Sequence, residues 1–315
     1  MPKRKTMKKT DIEILMATCN GAAYLRKQLD SILNQSCTSW HLTVSDDGSA
    51  DETPRILEEY ALLYPEKISL VNLGQRFGSA KAHFMSLIAR CDADIIALCD
   101  QDDVWFSDKL EKMAALLRKN MRACGEKTPL LVFSDQIPTD ARLKPISDSL
   151  VRMQALRVGD ADWRSFVFQN VVTGGACMFD GALAKLACAN YDAEKIIMHD
   201  WWLGLTAARF GRIAYLNEPT GYYRQHEKNS VGAKNVLSLS YVIDRLMHPA
   251  SVYEGILLRK TQAIEMQNAY GGSLTEADRE FLRRFGKRRS GLTFYLRNMP
   301  RIHGFFKRAA LILMG

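Results

Sequence analysis

The sequence of 315 residues lacks the features that would assign it to a membrane-spanning, secreted or zinc-binding class. No apolar run approaches the roughly 20 residues that a bilayer-spanning helix requires. Residues 1–5 lead into polar residues, and not into the apolar segment of a signal peptide. The seven cysteines are scattered, odd in number and never spaced as C-x-x-C, which argues against a disulfide framework and a zinc site. We therefore expect reduced thiols in a cytoplasmic protein.

Motifs of two nucleotide-binding classes and of nucleic-acid-binding proteins are also absent. No G-x-G-x-x-G or Walker A pattern occurs, so neither a dinucleotide fold nor a P-loop ATPase is supported. There is no helix-turn-helix, zinc-finger or RNP motif, and we predict no nucleic-acid partner. The net charge of +8 comes largely from residues 1–10 and from Arg279 onward. Basic ends of this kind can attract an anionic membrane surface.

Apolar runs alternate with amphipathic helical patterns over the first 125 residues. Strands are predicted at 12–18, 41–45, 68–71 and 95–98, and each is followed by a helical pattern. This alternation predicts an α/β protein with a mainly parallel, doubly wound sheet and right-handed crossovers. Further strands are predicted at 130–135, 171–179 and 213–216, and the pattern is helical from about Leu237.

Three carboxylates, Asp100, Asp102 and Asp103, follow the buried run 95–98 within four residues. Ligands of open α/β sheets bind at the carboxyl ends of the strands. Carboxylates this close repel one another unless a positive group lies between them, and Mg²⁺ is bound by one or two carboxylates together with substrate phosphates. The stretch therefore predicts a metal site for a phosphorylated ligand. The alternative is an acidic turn that caps the helix starting near Ser107.

Two other predicted strands also end in polar, glycine-containing loops. Residues 46–51 include three aspartates, and Arg76 lies between Gly74 and Gly78. Ordinary turns explain each loop singly, Asp51 can cap the next helix, and Arg76 can be a solvated loop residue. Three such loops on one sheet edge favour a shared ligand site.

Three stretches carry a family resemblance: Ala17-Thr18-Cys19-Asn20-Gly21 with Tyr24-Leu25, Asp46-Asp47-Gly48-Ser49-x-Asp51, and Asp100-Gln101-Asp102-Asp103-x-Trp105. Together they resemble family 2 of the inverting glycosyltransferases, which have the GT-A fold, over roughly residues 10–230. The last stretch is similar to that of bacterial rhamnosyltransferases that build cell-surface polysaccharides. The chain departs from the family at Cys19, where Tyr is usual, and at His83, where Asn is common. Both departures concern the nucleotide pocket.

The resemblance implies a donor site and a metal site. Asp46 would accept a hydrogen bond from N3–H of a pyrimidine base, and Asp102 and His226 would bind the Mg²⁺ or Mn²⁺ that bridges the diphosphate. The implied donor-binding residues are Thr18, Asn20, Asp46, Asp47, Arg76, Gly78, Asp100 and Gln101.

The resemblance also implies an acceptor site and a catalytic base. Inverting transfer needs a carboxylate that deprotonates the acceptor hydroxyl, and Asp200 occupies the family's position for it, with His199 where Glu is usual. The implied acceptor-binding residues are Trp105, Gly174, Gly175, His199 and Trp201. For these residues the alternatives are a helix cap at Asp200, buried packing for the glycines and core positions for the tryptophans.

Three regions follow from this interpretation. Residues 1–10 form a basic flexible start, residues 11–235 the GT-A domain, and residues 236–315 a basic helical extension. The domain divides into a nucleotide-sugar-binding half, 11–125 (the donor half), and an acceptor and catalytic half, 126–235 (the acceptor half).

The predicted activity is metal-dependent transfer of a sugar, with dTDP-L-rhamnose the favoured donor, to a saccharide or polyprenyl-diphosphate-linked acceptor. The alternatives are a UDP-sugar donor and an inactive nucleotide-sugar-binding module; a nucleotidyltransferase would need a glycine-rich phosphate loop that is missing here. Residues 283–315 are basic and apolar, which predicts peripheral attachment to the inner face of the cell membrane. The alternative is that they pack on the domain or form a dimer contact.

Overall fold

The computed structural model describes residues 12–125, 127–159, 162–227, 247–287 and 290–302, with Arg308, Leu311 and Ile312. The predicted basic start, 1–10, and most of the tail after Ile302 lie outside the described residues. The strands are β1 (Ile12–Thr18), β2 (Trp40–Asp46), β3 (Ile68–Leu70), β4 (Ile95–Cys99), β5 (Val104–Trp105), β6 (Leu130–Thr139), β7 (Cys177–Asp180) and β8 (Arg212–Arg224).

The helices follow the strands and then make up the described C-terminal region. They are α1 (Ala22–Leu33), α2 (Thr53–Leu63), α3 (Ala80–Ala89), α4 (Lys109–Cys124), α5 (Leu150–Met153), α6 (Trp163–Phe168), α7 (Gly181–Ala189), α8 (His199–Phe210), α9 (Pro249–Tyr270), α10 (Glu276–Gly286) and α11 (Leu292–Asn298). Within the described ranges, no helix combines the length and the apolar character that crossing a bilayer requires.

The strands form one sheet in the order β3-β2-β1-β4-β7-β6-β8-β5. Neighbours from β3 to β4 are parallel, β7 runs antiparallel to both β4 and β6, and β8 is parallel to β6. The mainly parallel sheet predicted from the alternating pattern is therefore confirmed. Thr18 is opposite Asp46 in the register of β1 and β2, so the loops after these strands begin side by side.

The predicted strand 171–179 is wrong over its first half. The chain there forms a 3₁₀ turn, Gly174–Ala176, here called the glycine turn, and only Cys177–Asp180 is a strand. The reason lies in its surroundings: the turn packs closely against side chains of two other elements, since a Cβ at Gly174 would lie 2.8 Å from His199 Nε2 and one at Gly175 would lie 2.7 Å from Asp100 Oδ2. Glycine permits that approach because it has no Cβ.

Two apolar layers cover the two faces of the sheet. Along β4, Ile96 and Leu98 face one layer, whereas Ile95, Ala97 and Cys99 face the other, as expected for a strand buried on both sides. The C-terminal helices join the first layer through buried aromatic residues: Phe281, Phe285, Phe294 and Tyr295. These helices therefore pack against the acceptor half. The predicted division of the chain at residue 235 stays a prediction.

Candidate active site

The loops after β1, β2 and β4 are joined by hydrogen bonds between side chains and main chain. The Asn20 amide donates to Ser49 Oγ at 2.7 Å, and Asn20 Oδ1 accepts from the Ala50 amide at 2.9 Å. Gln101 bonds both main-chain groups of Cys19, at 2.9 and 3.0 Å. A Cβ at Gly21 would lie 2.2 Å from Gln101 Oε1, so any other residue there would displace the Gln101 side chain. The structure thus brings the predicted donor residues Asn20 and Gln101 together; their contact with a donor stays a prediction.

Asp46 is oriented by three donors at the carboxyl end of β2. Its Oδ1 accepts from Thr18 Oγ1 at 2.8 Å and from Ser49 Oγ at 2.6 Å, and its Oδ2 accepts from the Ser49 amide at 2.8 Å. Thr18 is buried and Asp46 is half-buried. The predicted pair of donor-binding residues is therefore fixed in direction before any ligand arrives.

Asp47 holds the loop that carries Arg76. Its carboxylate accepts from the Phe77 amide at 2.5 Å and from the Gly78 amide at 2.8 Å. Gly78 has a φ of +65°, which favours glycine. Arg76 is exposed and lies against Gly48, where a Cβ would be 2.2 Å from Arg76 Nε. Arg76 therefore reaches across to the loop after β2.

The acidic loop after β4 places its three carboxylates in different surroundings. Asp103 is 1% exposed and accepts from the Arg224 amide and from Gln136 Nε2, both at 3.1 Å. Asp100 is half-buried, and burial together with repulsion from Asp102 and Asp200 raises its pKa to about 7. Such repulsion is relieved by a cation.

Asp102 and His226, the two predicted metal ligands, lie next to each other. Asp102 Oδ2 and His226 Nε2 are 2.8 Å apart, and the two side chains are 15% and 12% exposed. Mg²⁺ binds its ligands octahedrally at about 2.0–2.1 Å, so adjacent ligand atoms lie about 3 Å apart. The pair fits two adjacent positions of such an ion. Among the described residues no group of three or more His, Cys, Asp or Glu side chains completes a metal site.

Lys109 is a site residue that the sequence analysis missed. It is 2% exposed, its Nζ donates to the Gly175 carbonyl and lies 4.1 Å from the centre of the Trp105 ring, and burial lowers its pKa to about 8. A lysine in the first turn of an amphipathic helix is ordinarily a surface residue. Nothing in its local sequence distinguishes it, because its partners lie on the glycine turn, 66 residues away in the sequence.

Asp200, the predicted base, lies in the first turn of α8 beside the glycine turn. Its carboxylate accepts from the Trp201 amide at 2.6 Å, and the nearby Gly174 amide and Asn170 side chain act to lower its pKa. It is half-buried, and burial raises its pKa to about 6. A carboxylate with these properties is suited to accept a proton near neutral pH.

His199 is buried, 4% exposed, with its ring 4.4 Å from that of Phe84. Burial lowers its pKa to about 3, so the imidazole is neutral. Neither ring nitrogen has a hydrogen-bond partner within the described part of the chain.

The two tryptophans predicted to contact the acceptor lie in the core. Trp105 is 3% exposed, and Trp201 is 9% exposed with its Nε1 donating to the Phe166 carbonyl at 2.5 Å. Neither ring presents an open face on which a sugar could stack. The structure favours the alternative, core packing, and their acceptor role stays a prediction without support from this geometry.

The chain is similar to known glycosyltransferases in sequence and in fold. The model of glycosyl transferase family 2 matches residues 13–129. The dTDP-rhamnosyl transferase RfbG of Shigella flexneri is 30% identical over 244 residues, 72% of this chain and 76% of that protein.

Two solved structures extend the likeness to the whole fold. One is TarS 1–349 of S. aureus in complex with UDP-GlcNAc. Its match covers 96% of this chain and 79% of the TarS chain, with a TM-score of 0.58 at 18% sequence identity. The mannosyltransferase PcManGT from Pyrobaculum calidifontis, in complex with GDP-Man and Mn²⁺, matches 96% and 85%, with a TM-score of 0.54 at 15% identity. The predicted GT-A fold is thereby confirmed.

Proposed function

The chain belongs to glycosyl transferase family 2 and is a glycosyltransferase, and we propose that it transfers L-rhamnose from dTDP-L-rhamnose with inversion and with the help of a divalent metal. One observation supports the proposal: the glycine turn lies between Asp200 and the acidic loop, since a Cβ at Gly174 would lie 3.7 Å from Asp200 Cβ and one at Gly175 would lie 2.7 Å from Asp100 Oδ2. Donor-side and acceptor-side groups thus meet at one point, as a direct displacement requires.

The donor half is proposed to bind the nucleotide and the diphosphate. Asp46, oriented by Thr18, faces the base edge, and Arg76 contacts a phosphate. Asp102 and His226 would hold Mg²⁺ or Mn²⁺, an ion that is otherwise bound by water and by the phosphates of a substrate. When bound, the metal offsets the charge that develops on the leaving nucleoside diphosphate.

The acceptor half is proposed to supply the base. Asp200 accepts the proton of the acceptor hydroxyl as that oxygen attacks the anomeric carbon from the side opposite the diphosphate. The amide of Trp201 holds the carboxylate in one orientation, so that it needs no reorganisation at the moment of transfer.

The identity of the donor rests on the similarity to the dTDP-rhamnosyl transferase and on the Asp-Gln-Asp-Asp-x-Trp stretch. A UDP-sugar is the alternative donor. The test is a panel of nucleotide sugars with Mn²⁺, read by thermal stabilisation and by release of nucleoside diphosphate. We expect dTDP-L-rhamnose to stabilise the protein most and to release its nucleoside diphosphate. Stabilisation only by a donor with a purine base would contradict both dTDP-L-rhamnose and a UDP-sugar as the donor.

The acceptor is proposed to be a saccharide or polyprenyl-diphosphate-linked saccharide of cell-surface polysaccharide synthesis, reached at the inner face of the cell membrane. Much of the described tail packs on the domain, since Phe294 and Tyr295 are buried. Leu292 and Leu296 of α11 are exposed by 55% and 50%, one turn apart, with Arg297 beside them. This short apolar face with a neighbouring cation is the membrane contact that we propose.

Co-sedimentation with anionic vesicles at low and high salt tests the contact. The double variant Leu292→Gln/Leu296→Gln should lose most of the vesicle binding. Leu62→Gln/Leu63→Gln on α2, where the side chains are 83% and 63% exposed, is the matched control and should bind like the unaltered protein. Equal binding by both double variants rules out the α11 contact.

A further inference from the structure

Lys109 carries a positive charge at the centre of the site and has no part in the transfer as proposed. Taking an ammonium out of water costs several kcal/mol unless it is paired. The cost of burying the Lys109 ammonium is offset by three kinds of group: the Gly175 carbonyl, the Trp105 ring and nearby carboxylates. Its exposed counterparts on the same helix, such as Lys119, need no such partners.

The glycine turn to which Lys109 is bonded is held from three sides. The Gly175 carbonyl accepts from Lys109 Nζ, Gly175 lies against Asp100, and a Cβ at Gly174 would lie 3.7 Å from Asp200 Cβ. A Cβ at Gly175 would lie 2.7 Å from Asp100 Oδ2 and 3.0 Å from Asp103 Oδ2. The turn therefore connects the acidic loop to the base, and Lys109 is one of its three supports.

The charge of Lys109 also acts on the acidic loop. Its Nζ is bonded to the carbonyl of Gly175, the residue whose Cβ position lies within 3.0 Å of carboxylate oxygens of both Asp100 and Asp103. The ammonium thus lies within reach of the carboxylates beside which Asp102 and His226 lie.

We propose that Lys109 is a positioning residue of the transfer reaction, which fixes the glycine turn between the acidic loop and Asp200 and weakens cation binding to that loop. The proposal rests on the proposed function. Without the Lys109 support, Asp200 shifts relative to the donor, and misplacement by about 1 Å lowers turnover by up to about 100-fold. Without its charge, the loop is one unit more negative and holds a divalent cation more tightly.

Two variants separate the contact from the charge. Lys109→Met removes both, and Lys109→Gln removes the charge while keeping an N–H donor for the Gly175 carbonyl. Lys119→Met, an exposed change on the same helix, is the matched control. The measurements are Mn²⁺ affinity by calorimetry without donor, and kcat and KM for the donor.

We expect Mn²⁺ to bind about tenfold more tightly to both Lys109 variants, since at an effective dielectric constant of about 20 a unit charge within about 10 Å of a divalent cation is worth at least that factor. The kcat of Lys109→Met should fall about 30- to 100-fold, with less than threefold change in KM. Lys109→Gln should lose less, and Lys119→Met should resemble the unaltered protein. General loosening of the fold would weaken Mn²⁺ binding, so tightening distinguishes the proposal from a structural role.

Unchanged or weaker Mn²⁺ binding by a folded Lys109 variant overturns the charge role, and a kcat of Lys109→Met within twofold overturns the positioning role. If Lys109→Met does not fold, the contact serves the fold and the positioning role is overturned, whereas Lys109→Gln still decides the charge role by the same titration. Tighter Mn²⁺ binding in a protein that transfers no sugar from any donor refutes the proposed function and leaves the charge role standing.

Discussion

The donor half and the acceptor half differ in how their predicted site residues are hydrogen-bonded. In the donor half, Asn20, Asp46, Asp47 and Gln101 all bond to neighbouring loops. In the acceptor half, neither ring nitrogen of the buried His199 has a hydrogen-bond partner in the described chain, and Asp200 is a half-buried carboxylate of raised pKa. Buried polar groups are normally hydrogen-bonded. We therefore expect the donor half to bind its ligand with little rearrangement, and the chemistry to depend on the acceptor half.

The largest effect is expected from Asp200→Asn. The change removes the proton acceptor and keeps the shape, so transfer should fall by about two to four orders of magnitude. Donor affinity, measured by calorimetry, should stay within about twofold because the donor half is untouched. The exposed Asp148→Asn is the control.

If Asp200→Asn keeps a turnover close to normal, the role of Asp200 is limited to accepting hydrogen bonds from amides in the first turn of α8. In that case donor binding and the chemical step would not be separated between the donor half and the acceptor half.

The second largest loss of transfer activity is expected from removing the divalent metal. Because Asp100 and Asp102 lie close enough to repel each other, we expect chelation and dialysis to lower transfer at least about 100-fold, and added Mg²⁺ or Mn²⁺ to restore it. Full activity after chelation contradicts the metal role of Asp102 and His226. The donor half would then bind the donor without taking part in the chemical step.

A pH profile should give a moderate effect. The base must be ionised, and burial raises the pKa of Asp200 to about 6, so kcat should fall as the pH falls below that value. At pH 5 about one molecule in eleven retains the ionised base, which predicts a kcat about tenfold below its plateau. Asp200→Asn should lack this dependence, and an unchanged acid limb in that variant would assign the titration to another group.

The smallest effect is expected from Thr18→Val in the donor half. The variant loses one of three hydrogen bonds to Asp46, which costs about 1 kcal/mol in donor affinity or stability. We expect KM for the donor to rise about fivefold and kcat to stay within twofold. A loss in kcat alone would place part of the chemistry in the donor half.

The sequence predicted the donor half more completely than the acceptor half. Strands β1, β2 and β4 were placed to within about one residue, because each is a short apolar run followed by polar loop residues. The carboxylates after β4 belong to the same short stretch, so local pattern was sufficient to find them.

The acceptor half depends on contacts between residues far apart in the chain. The glycine turn was predicted as a strand, since the side chains that it packs against come from residues 100, 199 and 200. Lys109 gave no signal for the same reason. The stacking roles of Trp105 and Trp201 also gain no support, because an aromatic residue in a motif does not reveal which of its faces is buried.

The ion pairs of Asp278 limit how this enzyme can be shortened or recombined with its relatives. Asp278 on α10 is 4% exposed and accepts from Arg164 on α6 and Arg209 on α8, each at 2.6 Å. Removing one side of a buried pair costs about 3–5 kcal/mol. Because α8 also carries Asp200, a chimaera that keeps the first 235 residues and takes its last helices from another family member should lose the alignment of its base unless an acidic residue meets both arginines.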